Sequence, residues 1–314
     1  ENSVSQADTL GLTFGQPLTE EQLGALEEPI IWMVEVEIDG ETVLAPQVYL
    51  PKRIQDEIAQ QSAVISADDL SIDVAQLDNT GGDIVADGDL DIDVEGDLNN
   101  LSGNISGNNV DIAAGGDINN ETFSQFAGND TQGETVIGRT AGISATNDLS
   151  LDAGGDITNL GAEMSAGGDA SLVAEGDITF DTIENRTTDF ESTTGATSMS
   201  LSNSETVTQV RSGLSVGGNL STDSGGDTTF AGTQVDVGGD ADIQSAGDIN
   251  IIARENRSST SSSSLSGGLG AGGNLYSVTE TTEETESIRN VASEFNVGGN
   301  ASFDADGDML VQGS

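Results

Sequence analysis

Residues 84–120 read Ile84-Val-Ala-Asp-Gly-Asp-Leu-Asp-Ile-Asp-Val-Glu-Gly-Asp-Leu-Asn-Asn100 and, after four intervening residues, Ile105-Ser-Gly-Asn-Asn-Val-Asp-Ile-Ala-Ala-Gly-Gly-Asp-Ile-Asn-Asn120. Leu90, Ile92 and Val94 of the first copy correspond to Val110, Ile112 and Ala114 of the second, and Asp97 lies twenty residues before Asp117. The unit recurs at Leu149, Leu151 and Ala153 with Gly155-Asp156, and at Ala170, Leu172 and Ala174 with Gly176-Asp177. It returns at Leu220 and Thr222 with Gly226-Asp227, at Ala241 and Ile243 with Gly247-Asp248, and at Ala301, Phe303 and Ala305 with Gly307-Asp308. Leu70, Ile72 and Val74 begin the series. A fixed period near twenty residues marks a solenoid.

The inner period selects the kind of solenoid. Apolar residues alternate two by two, so the units are strands. The segments are short and separated by Gly, Asp and Asn, so the chain turns a corner every few residues. The expected fold is all-β, a right-handed parallel β-helix of about 20-residue coils stacked at roughly 4.8 Å. Ile92, Ile112, Leu151, Leu172, Ile243 and Phe303 are expected to form one buried column. The glycine before each aspartate is expected to supply a positive φ. The aspartates and asparagines are expected to bond their own backbone at the corners.

Composition agrees with a thin core. The chain has 41 Gly and only 4 Pro, and 34% of its residues are hydrophobic. Low hydrophobicity with high net charge is also the signature of disorder. Disorder does not explain an apolar alternation held in register over many copies. There are 55 Asp and Glu against 8 Lys and Arg, a formal charge of −47, and Lys52 is the sole lysine. Such a chain repels nucleic acid and anionic lipid, so neither is expected as a partner. There is no Cys. A disulfide framework is therefore excluded, and stacking must hold the solenoid together. No apolar run reaches the roughly twenty residues of a membrane-spanning helix. Without a signal peptide at Glu1, and with a strand-like end at Met309-Leu-Val311, the chain reads as a piece of a longer protein.

Two regions are expected. Residues 1–61 hold a linker, a short helix and a hairpin cap. Thr19-Glu-Glu-Gln22 is a capping-box pattern that starts a helix running to about Leu26, and Pro29 bars its continuation. Asp39-Gly40 between two apolar runs, Ile30–Ile38 and Thr42–Ala45, is a hairpin signal, and Pro46 suggests an edge or a break before Gln47–Leu50. The hairpin is expected to cover the exposed end or side of the first coil, the alternative being a partner-binding patch. Residues 62–314 hold the β-helix, with excursions near 121–142, 181–213 and 254–290. The first excursion is expected to be an irregular loop or modified coil. The other two share a layout. Each starts at an Asn-Arg pair, Asn185-Arg186 or Asn256-Arg257, runs through Ser and Thr, and ends at Arg211 or Arg289. The unit is therefore larger than one coil: paired coils plus an excursion. Each of these two is expected to be a two-stranded ribbon leaving the solenoid, with a glycine tip at 267–273 in the last.

The stretch Pro17-Leu-Thr-Glu-Glu-Gln22, Ile30-Ile-Trp-Met-Val-Glu35 and Val43-Leu-Ala-Pro-Gln-Val-Tyr-Leu50 resembles a segment of the filamentous-haemagglutinin-like exoproteins of two-partner secretion. Within that family it is similar to the long contact-dependent growth inhibition proteins, where this segment precedes the second haemagglutinin-repeat region. The Gly-Gly-Asp-Ile coils and the Asn-Arg, Ser-rich excursions are similar to the repeats themselves, so the resemblance covers nearly the whole chain. It implies a secreted filament on a gram-negative bacterial surface, exported through an outer-membrane transporter of the Omp85 kind. It also implies that a toxin or secretion domain would lie on other parts of the chain. The acidity departs from the usual family composition and points to a salt-adapted source.

Catalytic chemistry finds little footing. The chain has no His and no Cys, which excludes His-based triads, thiol nucleophiles and typical zinc sites. Carboxylate pairs remain, and Asp87, Asp89, Asp91 and Asp93 are expected to line one outer face. A glycosidase needs two carboxylates set apart in protonation and distance, and no pair stands out from the repeat. Asp97 with Asp117, and Asp156 with Asp177, are expected to stack at roughly 5 Å, where a hard cation could bridge them. The opposing expectation, of turn aspartates accepting backbone hydrogen bonds, is preferred. No catalytic residue, cofactor or metal ligand is therefore assigned. The expected function is a structural shaft, a monomeric rod that supports adhesion or toxin delivery by other parts of the chain. The alternatives are an adhesin module that binds a target-cell receptor or glycan, and a polysaccharide-acting enzyme. Trp32, Tyr49 and Tyr276 are too scattered to form a sugar platform on the repeats. At −47 the compact chain repels itself. Salt screens that repulsion as the Debye length falls to about 3 Å at 1 M. The melting temperature should accordingly rise with sodium chloride, and a flat profile would remove self-repulsion as a significant term.

Overall fold

The computed structural model describes residues 12, 22, 30–38, 41–49, 63–128, 132–195, 197–268 and 277–313. Its body is a parallel β-helix of eight coils, each contributing one strand to each of three eight-stranded sheets. One coil comprises Asp83–Ala86, Leu90–Val94 and Leu98–Leu101, and the next Asn104–Gly107, Val110–Ala114 and Ile118–Glu121. The alternation seen in the sequence becomes inward and outward side chains. In Leu90–Val94 the apolar residues are buried and Asp91 and Asp93 exposed.

Stacking is in strict register. Ile72, Ile92, Ile112, Leu151, Leu172, Thr222, Ile243 and Phe303 follow one another across one sheet. The expected column is therefore present. Ile92, Ile112, Leu172 and Ile243 have no exposed surface and Leu151 has 1%. Each such side chain contributes roughly 1.5–3 kcal/mol through burial. Phe303 is only partly buried, because no described coil lies beyond it. Thr222 interrupts the aliphatic column, and its buried hydroxyl finds no partner.

A second column is polar for half its length. Asn79, Asn100, Asn120 and Asn159 stack on the inner side of the third sheet. Each amide donates to the oxygen of the next at 2.7–2.8 Å. The same amides also reach backbone carbonyls, such as Gly103 O from Asn100 at 3.1 Å. From the next coil the column turns aromatic, with Phe180 and Phe230 in register with Asn159. Their rings stack with centroids 5.4 Å apart.

All three excursions leave from one corner, between the third strand of a coil and the first strand of the next. Where there is no excursion, that corner is a tight turn at Gly81, Ser102, Gly161 or Gly232, each with φ between 51° and 66°. Ser102 is the one residue here that is not glycine. Its hydroxyl accepts the Phe123 N–H at 2.9 Å, which offsets the strain of that conformation.

The excursions are antiparallel hairpins: Ser124–Gly128 with Gly133–Ile137, Ile183–Thr194 with Ser198–Val210, and Arg254–Gly268 with Ser277–Val291. The first was expected to be irregular and is a ribbon like the others. The ribbons are also not separate. They pair side by side into one six-stranded antiparallel sheet. A lone ribbon is marginal in water, and lateral pairing removes that weakness. Of the glycine tip expected at 267–273, Gly267 and Gly268 instead pair in the ribbon with Val278 and Ser277, and residues 269–273 lie outside the described residues.

In the amino-terminal region, Ile30–Ile38 pairs with Glu41–Tyr49 without a break at Pro46, which stands opposite Met33. A two-stranded hairpin has only edge strands, so a proline is tolerated there. The described hairpin lies beside Ser124–Gly128, with Val34 buried. Val64 and Ile65 of the first coil stay exposed. Of the helix expected near Thr19–Leu26 only Gln22 is described, in helical conformation, and the rest falls outside the described residues, as does the Asp39-Gly40 turn.

Replacing Asn120 by Leu should destabilise the fold by about 2–4 kcal/mol, because it strips two rungs from a buried ladder and strands the amide groups on either side. Urea denaturation of the variant checks this, and stability equal to the parent would show that the ladder contributes nothing.

Candidate functional site

The most regular chemistry on the molecule is the Gly-Asp corner. Asp97 Oδ1 accepts the backbone N–H of Asp117 at 3.0 Å, and Asp117 Oδ1 accepts that of Asp156 at 2.9 Å. The chain of acceptors continues through Asp177, Asp227, Asp248 and Asp308 at 2.7–2.8 Å. Each aspartate thus bonds the following coil and not its own backbone as expected. The glycine has a different role as well. The glycines of these corners are absent from the positive-φ residues. A Cβ on Gly116 would lie 2.1 Å from Asp97 Oδ1, and one on Gly176 would lie 2.0 Å from Asp156 Oδ1. The carboxylate of one coil occupies the space that a side chain in the next would need.

A second corner ladder runs through Asp69, Asp89, Asn109, Asp148, Asp169, Asn219, Asp240 and Asn300, with links such as Asp89 N–H to Asp69 Oδ1 at 3.0 Å. Asp89 therefore belongs to a corner, with Asp87 in the same turn, and only Asp91 and Asp93 lie on the outer face of a strand. The four aspartates do not form the single row that was expected. Stacked carboxylates about 5 Å apart repel by on the order of 1 kcal/mol when water-screened. The amide hydrogen bonds oppose that repulsion. Among the described residues no three acidic groups converge on one point.

Electrostatic perturbation is mild and scattered. Burial pushes the Glu121 and Glu163 carboxyls up from the ordinary glutamate value. Amide hydrogen bonds from Asn99 and Gln76 hold Asp78 below the usual aspartate range, and Asn296 and Gln234 do the same for Asp236. These four groups lie on different outer positions and do not face one another as an acid–base pair. A shallow groove of about 490 Å³ runs over Ser150, Ser171 and Ser221 beside Asp148 and Asp169. No aromatic ring lines it. Trp32 is partly buried in the hairpin, and the side chain of Tyr49 and all of Tyr276 lie outside the described residues.

The ribbon roots hold most of the positive charge. Six of the seven arginines lie in or next to the ribbons: Arg139, Arg186, Arg211, Arg254, Arg257 and Arg289. Arg139 donates to the carbonyls of Ser102 at 3.2 Å and Gly82 at 3.1 Å and pairs with Asp83 at 2.9 Å. Arg211 reaches the Gly232 carbonyl at 3.0 Å and the Ala292 carbonyl at 2.6 Å. Arg254 grips Asp181 with two nitrogens. Arg186 pairs with Glu205 at 2.6 Å and lies 4.6 Å above the Phe126 ring. Guanidinium forks suit such multi-carbonyl contacts, and here they tie each ribbon to neighbouring coils. The sequence signal was the concentration of six of the seven arginines in the excursions, visible without its purpose.

The hemagglutinin repeat family model matches residues 120–201 and 193–314. The chain is 29% identical over 83% of its length to a protein called tRNA nuclease CdiA from Escherichia coli, and 28% identical over 81% to one of that name from Yersinia mollaretii. A shorter stretch, 27% of the chain, is 35% identical to a 16S rRNA endonuclease CdiA of Enterobacter cloacae. The matched stretches are 9%, 7% and 2% of those proteins, so the chain spans less than a tenth of their length. No solved structure is a significant match.

The corner geometry predicts a coupled pair. Gly116→Ala should cost about 1–3 kcal/mol by overpacking against Asp97. In an Asp97→Ala background the obstructing oxygen is gone, so adding Gly116→Ala should cost much less. A double-mutant cycle by thermal denaturation reads this directly, and simple additivity would sink the proposed reason for the glycine.

Proposed function

The chain belongs to the hemagglutinin-repeat family, and on that premise we propose that it is a shaft segment of a secreted exoprotein on a gram-negative cell surface, of the contact-dependent growth inhibition kind. The observation that carries this is the unbroken stacking of eight coils, seven of them joined by the same corner hydrogen bond from Asp97 through to Asp308. Such a stack adds about 4.8 Å of length per coil, roughly 40 Å here. Each coil binds only its neighbours, so folding can proceed coil by coil as the chain emerges from an outer-membrane transporter of the Omp85 kind. The ladder needs neither cysteine nor metal, which suits a chain exported unfolded. On this reading any toxin activity belongs to other parts of a longer polypeptide and not to this segment. In this chain no catalytic, cofactor or metal role is assigned to any residue, and the perturbed carboxyls do not face one another.

One observation favours the adhesin alternative. Phe190, Met199 and Leu265 are exposed. The strand register puts all three on one face of the ribbon sheet. Incubating the labelled monomer with candidate target bacteria separates the two. A shaft segment should show only linear, non-saturating retention and no turnover of added polysaccharide. Saturable binding that is lost on Phe190→Ser and Met199→Ser would replace the shaft with an adhesin module, and polysaccharide turnover would replace it with an enzyme.

A further inference from the structure

The three ribbons share a sheet because two spacings are equal. A hairpin is two strands wide, about 2 × 4.8 Å, and a coil rises by that same strand spacing. Two coils, residues 142–160 and 163–181, separate the first ribbon from the second, and two more, 213–231 and 234–252, separate the second from the third. Every ribbon therefore emerges two strand-widths farther along the axis. There its leading strand meets the returning strand of the ribbon before it. Gly133 and Glu134 pair with Thr188 and Thr187 across the first such junction. Across the second the register runs from Ser198↔Ser266 to Val207↔Arg257.

The two edges of this sheet differ. One is Ser124–Gly128, five residues long, with the amino-terminal hairpin beside it. The other is Ser277–Val291, fifteen residues long and the last strand of the sheet among the described residues. We propose that this long edge is a strand-addition site, and that its occupant is the leading strand of a further ribbon borne two coils on by the same polypeptide. The proposal rests on the shaft reading. Continuity carries it: the returning strands Gly133–Ile137 and Ser198–Val210 hold the same position in their ribbons, and each receives such a strand. Charge supports the choice of occupant. The edge carries Glu280, Glu283, Glu284 and Glu286, so a second copy of it would set carboxylate against carboxylate. A leading strand such as Arg254–Gly268 brings two arginines, a run of serines and Glu255 as its single acid. The ribbon sheet is then a fin that lengthens with the shaft, two strands for every two coils.

The chain contains no cysteine, so introduced pairs report without background. The register also allows a clean extension, because Gln312 aligns with Ile252 and through it with Ala231. The full chain followed directly by a second copy of residues 234–314 therefore places the added ribbon two coils beyond the third. Thr282→Cys in the first copy and Ser263→Cys in the second should then face each other across the new junction. The expected result is an intramolecular disulfide in most molecules, independent of protein concentration, and none when Ser266→Cys replaces Ser263→Cys. Circular dichroism and protease resistance report separately on the added coils. Folded coils without the disulfide would overturn the proposal and leave the shaft reading standing. Added coils that do not fold would overturn both. A disulfide that forms only between molecules, rising with concentration, would assign the edge to a second copy and also overturn it.

Discussion

Everything in this molecule depends on one constraint, the roughly 4.8 Å separation between hydrogen-bonded strands. Coils stacked at that distance place each side chain directly over its counterpart. Whatever occupies a position must therefore tolerate a copy of itself about 5 Å away. Isoleucine and leucine do so by packing, as in the column through Ile92, Ile112 and Leu151. Asparagine does so by donating its amide to the oxygen above, as from Asn100 to Asn120. Phenylalanine does so by stacking, as Phe180 does with Phe230. Aspartate is the hard case, and the corners settle it by turning one carboxylate oxygen onto the amide of the next coil. That placement leaves no room for a side chain on the preceding residue, so glycine and aspartate occur as a pair.

The same distance governs the ribbons. A two-stranded hairpin released every two coils is commensurate with the coil rise, and so hairpins far apart in sequence become neighbours in one sheet. Polar Ser and Thr strands with little to bury are held by each other and by arginines at their roots. Arg211 ties the second ribbon to the carbonyls of Gly232 and Ala292, and Arg254 ties the third to Asp181. In a chain of charge −47, placing six of seven arginines in or next to the ribbons concentrates attraction where the ribbon backbone leaves the ladder. The outward faces of the coils are left acidic and variable, in keeping with a shaft whose work is length.

The sequence by itself determined the parallel β-helix, its period and its apolar column, because a two-residue alternation repeated every twenty residues admits no other arrangement that buries Ile92, Ile112 and Leu172 together. It also determined where the excursions leave, since the break in period is local. It left the ladders misread. Asn100 and Asn120 align in the repeat and look like corner residues, and only the stacked coils show that they point inward and bond across coils. The corner glycines look like positive-φ residues until the carboxylate of the previous coil appears in the space of their Cβ. The fold alone decided that three ribbons form one sheet, because pairing such as Met199 with Leu265, sixty-six residues apart, depends on where the rise of the coils carries each hairpin, a distance that no local pattern of residues encodes.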